Sequence, residues 1–103
     1  MKWQTTPQFD ADWKRLPPEH QRLFKERVRE FSAACDQYLD DPGSFVWPAT
    51  LRVSPMRSVP GIWELTWSVA GPDGRATFEF VTVAGERGVR WRRVGRHDVF
   101  DRP

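Results

Sequence analysis

The hydrophobic pattern changes period once, near the middle of the chain, and that change limits the fold more than any other feature. Before it, in "PEHQRLFKERVREFSAACDQYLDD", Phe24, Val28, Phe31, Cys35 and Tyr38 recur at alternating steps of four and three. Such spacing describes one face of an α-helix, with Pro18 suited to its first turn and Pro42-Gly43 to its end. The segment "PQFDADWKRL" repeats the spacing in Phe9, Trp13 and Leu16 until Pro17-Pro18 stops it. Ahead of it, "KWQT" is expected to form a short strand.

After "DDPGSFVWPA" the residues alternate instead. In "GIWELTWSV", Trp63, Leu65, Trp67 and Val69 fall on one side and Glu64, Thr66 and Ser68 on the other, as in a strand with one buried face. "AGPDG" reads as a hairpin connection, and "RATFEFVTV" returns with Ala76, Phe78 and Phe80 inward and Arg75, Thr77 and Glu79 outward. "GERG" is a second turn leading into "VRWRRV". An earlier strand, "TLRVS", is expected to turn Leu51 and Val53 inward and Arg52 outward. Helices followed by strands imply an α+β fold, with two N-terminal helices packed on one face of a small twisted, mainly antiparallel sheet. The other face is expected to be polar and open, presenting Glu64, Thr66, Arg75, Arg52 and part of the arginine-rich strand together. At 103 residues and 39% hydrophobic, residues 1–103 are expected to form a single domain with one modest core.

Charge is unevenly spread. Residues 1–41 carry −1, residues 42–84 carry zero and residues 85–103 carry +3, with six arginines against three acids. The closing stretch "VRWRRVGRHDVFDRP" sets Arg90, Arg92, Arg93, Arg96 and Arg102 around His97 and Phe100. A basic end of this kind suits a polyanionic partner, nucleic acid first, and equally a basic strand facing water; charge alone leaves both readings open. One cysteine, Cys35, excludes an internal disulfide, and "MKWQTTPQFD" has no apolar run resembling a signal peptide, so a cytoplasmic location is expected. No membrane span is expected. Cys35 falls on the apolar helix face and reads as core filling.

Several chemistries find no support in the residues. His20 and His97 lie on different elements with no zinc-ligand spacing, so neither metal nor cofactor is expected, and His20 reads as a surface residue. The glycines at 85, 88 and 95 match neither a P-loop nor a dinucleotide fingerprint. Phosphodiester cleavage without metal stays open, because RNA carries its own nucleophile in the 2′-hydroxyl. The protein then supplies a proton acceptor, cations for the developing charge and an acid for the departing oxygen. His97, Glu64, Arg75, Arg93 and Arg96 are candidates, with Phe100 available to stack on a base. Glu64 and Arg75 could equally form a plain cross-strand ion pair.

Taken in order, a helix ending near "DDPG", then "LRV", "PGIWEL", a "DGR" hairpin backed by an aromatic strand, and the closing "VGRHDVF" resemble the RelE/ParE superfamily of bacterial toxins, especially its RelE and HigB-like branch. The resemblance covers nearly the whole chain. It implies a type II toxin that cuts messenger RNA, commonly on the ribosome, until a cognate antitoxin protein blocks it. Carried over by position, it makes His97 the proton-transfer group, Arg75 the arginine that steadies the scissile phosphate, and Glu64 a charged helper. Arg52, Arg90, Arg92, Arg93, Arg96 and Phe100 would hold RNA. Branches that use a cluster of lysines in the central strand have them where this chain has Glu64 and Thr66, so a lysine-based mechanism does not transfer. Phe100 stands where tyrosine is frequent, which leaves His97 as the titrating group near neutral pH. Two alternatives keep the fold: a ParE-like inhibitor of DNA gyrase, and an inactive relative that only binds.

Overall fold

The computed structural model describes residues 2–68, 74–96 and 102–103. Expectations for Val69, the connection at 70–73, His97 and Phe100 lie outside those residues. The elements are β1 (Lys2–Thr5), α1 (Pro7–Arg15), α2 (Pro18–Asp40), β2 (Ser54–Pro55), β3 (Trp63–Ser68), β4 (Gly74–Val83) and β5 (Glu86–Gly95). The strands form one sheet in the order β1-β5-β4-β3-β2. Only β1 and β5 run parallel; β2 to β5 pair antiparallel in succession. The expected α+β arrangement is therefore the observed one.

Helix boundaries follow local chemistry. Thr6 caps α1: its hydroxyl accepts from the Phe9 N–H at 3.1 Å and donates to the Arg92 carbonyl at 2.7 Å, tying the helix start to β5. Prolines stand at the first turns of both helices, where a missing N–H costs nothing. The helices bury Phe9, Phe24, Phe31 and Cys35 against Leu65, Trp67, Ala76, Phe78, Val89 and Trp91 of the sheet. Phe31, with no exposed surface, packs edge-on to Phe78 and Trp91 and stacks on Trp47. Aromatic area supplies much of the core, as six tryptophans and seven phenylalanines require.

Three expectations need correction. "TLRVS" is not a strand: the strand is only Ser54–Pro55, because Arg52 takes a left-handed φ of 46°. That kink still turns both Leu51 and Val53 into the core, but it removes Arg52 from the sheet's outward rows. "GERG" is not the second turn. The connection is the two residues Ala84-Gly85, both at positive φ (52° and 79°), the geometry of a tight hairpin, and β5 already begins at Glu86. Finally, the sheet face away from the helices is not open throughout. Thr66 is nearly buried, and Thr77 is fully buried where residues 102–103 return over it, its hydroxyl donating to a main-chain oxygen of Pro103 at 3.1 Å.

Cys35 is in the core as expected. Burial first, and then the neighbouring Asp36 carboxylate, push its thiol from 9.0 up to about 12. The native protein should therefore resist iodoacetamide at mildly alkaline pH and react only once denatured; rapid alkylation of folded protein would contradict this. The unfolded chain releases this proton at lower pH than the folded one. Below about pH 9 the group leaves stability unchanged, and stability falls as pH rises from about 9 towards about 12.

Candidate functional site

Two irregularities in the sheet place the polar side chains. Between β3 and β4 the register runs Glu64↔Thr77, Leu65↔Ala76 and Thr66↔Arg75, then shifts so that Ser68 faces Gly74 and Trp67 is the extra residue. Trp67 turns into the core, where its Nε1 donates to the Arg75 carbonyl at 2.9 Å. Its ring lies so close to Gly74 that a Cβ there would come within 2.4 Å, so only glycine fits. The backbone at Arg75 is thus pinned from the core side. Between β4 and β5, Thr77 faces Arg93 and Phe78 faces Trp91, which makes Arg92 the extra residue of a second bulge. Phase shifts there: Val89 and Trp91 point to the helices, and so does Val94, three positions on.

These registers build two rungs on the outer face. One runs Ser54, Glu64, Thr77 and Arg93 across β2 to β5; the next runs Thr66, Arg75 and Gly95. Glu64 accepts from the Ser54 hydroxyl at 3.2 Å, and Arg75 Nη1 donates to the Thr66 hydroxyl at 2.8 Å. Glu64 and Arg75 are diagonal neighbours rather than directly opposite, roughly 7–8 Å apart at Cα. Gly95, the register partner of Arg75, precedes His97 by two residues.

On β5, Arg90, Arg92 and Arg93 have carboxylate partners, whereas Arg87 donates to the Leu39 carbonyl at 2.8 Å. Glu79 takes Arg90 on one oxygen and Arg92 on the other, both at 2.8 Å. Arg92 Nε also donates to a main-chain oxygen of Pro103 at 3.0 Å. Arg93 forms a two-pronged pair with Asp12 of α1, at 2.6 and 3.1 Å, and the Val94 N–H donates to the same carboxylate at 3.2 Å. Asp12 is buried, and no sequence signal marked it. Its position between Phe9 and Trp13 on α1 is the only hint, since its partner lies 81 residues away. Arg96, just beyond β5, is exposed, as is Arg52 in its loop. His20 is half-buried, its ring 5.5 Å from that of Trp67. Among the described residues, no group of three or more His, Cys, Asp and Glu stands together as a metal site, and no helix is long and apolar enough to cross a membrane.

No family model and no curated protein matches the chain. Among solved structures it is similar to a YoeB/ParE toxin from Agrobacterium tumefaciens, with a TM-score of 0.55 across 94% of this chain and 99% of that one. The chain has the RelE/ParE toxin fold. At 14% identity the likeness is one of backbone architecture. Within the RelE/ParE toxin fold, the rungs carrying Glu64, Thr66, Thr77 and Arg75 occupy the sheet face opposite the helices, beside the end of β5.

Proposed function

We propose that this chain is the toxin of a bacterial type II toxin–antitoxin pair, acting in the cytoplasm as a metal-independent, ribosome-dependent messenger-RNA endoribonuclease. One observation carries the reading: Arg75, a cation fixed by Thr66, shares a rung with Gly95, the residue from which the chain runs on into "RHDVF". In the proposed reaction the RNA 2′-oxygen attacks the adjacent phosphorus, forming a cyclic phosphate, and the bond to the 5′-oxygen breaks. His97 moves the proton, Arg75 balances charge on the phosphoryl oxygens, and Glu64 supplies a second polar group on the neighbouring rung. Arg90 and Arg92 offer guanidinium groups whose pairing with Glu79 an incoming phosphate would have to share or replace. The expected regulatory partner is a cognate antitoxin protein.

The matched structure's name joins YoeB to ParE, so the gyrase reading is the one to test against. Brief induction in growing bacteria should produce new transcript ends within coding regions, with plasmid supercoiling unchanged. Intact transcripts with relaxed plasmid would replace the nuclease reading by gyrase inhibition, and harmless accumulation of folded protein would remove both.

A further inference from the structure

A cleft of about 570 Å³ opens between α1, the β5 bulge and residues 102–103. Thr6, Gln8, Arg15, Arg92, Arg93 and Arg102 line it, with Asp12 as the acidic side chain on its wall and Pro103 beside them. Asp12 is buried and held by Arg93, so among the described residues it is that arginine's charge that it neutralises. Arg15 and Arg102 are exposed, and among the described residues no Asp or Glu side chain pairs with their guanidinium groups. Like charges gathered around one concavity repel one another, a cost relieved when an anion enters.

The corner of the cleft also shows which kind of atom it accepts. Arg92 Nε at 3.0 Å and the Thr77 hydroxyl at 3.1 Å converge on a main-chain oxygen of Pro103, and Arg93 Nη1 donates to the Arg102 carbonyl at 2.9 Å. Guanidinium and hydroxyl donors focused on oxygen are what a phosphodiester group requires. Thr77 lies on the same strand as Arg75, two residues away on the same outward row, so the Pro103 wall of the cleft is tied to the strand that carries Arg75. Guanidinium groups spread over a helix, a strand and a terminal segment suit an extended chain of phosphates better than one compact anion.

We propose that this cleft is a second phosphodiester-binding subsite, in which Arg15 and Arg102 grip the backbone of single-stranded RNA beside the linkage held at Arg75. The proposal rests on RNA being the substrate. It assigns binding to Arg15 on α1, outside the basic closing segment, and treats Arg93 as a fixed wall held by Asp12.

The test uses a fluorescein-labelled oligouridylate with 2′-O-methyl groups, which cannot be cut through the 2′-oxygen. Anisotropy is followed across a series of KCl concentrations, with the full chain and its variants. Arg15→Ala and Arg102→Ala should each weaken binding by about 3- to 10-fold and reduce the salt slope by roughly 0.7, the expected loss of one phosphate contact on a single strand. Arg29→Ala removes the same charge beside a different groove, lined by Trp3 and Trp13, and should change neither quantity. Wild-type affinity and slope in the Arg15→Ala/Arg102→Ala double variant would overturn the subsite, as would an equal loss in Arg29→Ala. Unaltered RNA binding with lost affinity for poly-glutamate would overturn it in favour of an acidic protein partner. If both arginines govern binding while ordinary RNA stays uncut, the subsite stands and the nuclease reading falls.

Discussion

Replacing Arg75 by alanine should lower the rate of transcript cleavage by about 10²- to 10³-fold, the usual effect of losing one donor aimed at developing negative charge. The structural cost should be far smaller. Arg75 is half-buried and its Nη1 serves the Thr66 hydroxyl, so its loss leaves one nearly buried hydroxyl oxygen without that donor, worth about 1 kcal/mol. Guanidinium denaturation beside single-turnover cleavage separates the two effects. Arg75→Lys should recover part of the rate, since it restores charge without the planar fork. A variant equally impaired in stability and cleavage, or one that cleaves at the wild-type rate, would remove Arg75 from the site.

The largest stability effect outside the aromatic core should come from Asp12→Ala. The pair with Arg93 is mostly shielded from water, with side chains 8% and 21% exposed, and Asp12 also accepts from the Val94 N–H. Removing only the carboxylate takes the counter-charge from a largely shielded guanidinium and the acceptor from a backbone N–H at once, at a cost of about 3 kcal/mol. Substituting both partners, Asp12→Leu with Arg93→Met, should restore much of that loss, because apolar packing replaces a pair that was costly to desolvate. By contrast, Lys2–Glu86 spans 4.0 Å between side chains 52% and 66% exposed and should contribute little. Urea denaturation of the three variants measures this directly. A cost below about 1 kcal/mol for Asp12→Ala would mean that the pair does not hold α1 to the β5 bulge.

Both predictions depend on features that differ in how plainly the sequence shows them. The helices were legible because Phe9, Phe24, Phe31 and Cys35 keep helical spacing and are buried on one side. β3 and β4 were legible from the alternation of Leu65, Ala76 and Phe78 with polar residues. The β5 bulge was not, although "VRWRRV" holds a trace of it: Val89 and Trp91 are two apart, but the next apolar residue, Val94, is three further on. A strand of strict alternation would have driven Arg93 into the core. Arg52 was misplaced because a single left-handed residue turns both its neighbours inward, which mimics strand alternation. The burial of Thr77 and Asp12 is beyond local pattern altogether, since each is decided by a segment far along the chain.

The central claim is that RNA is cut by its own 2′-oxygen at the Arg75 rung. The most direct measurement is the chemistry of the ends left on a defined messenger by purified protein and ribosomes, with and without EDTA once free magnesium has been replaced by a polyamine that keeps the ribosome intact. The account predicts 2′,3′-cyclic phosphate and 5′-hydroxyl ends, formed equally in both conditions and lost in Arg75→Ala. Products bearing 5′-phosphate, or cleavage abolished by EDTA under those conditions, would contradict it.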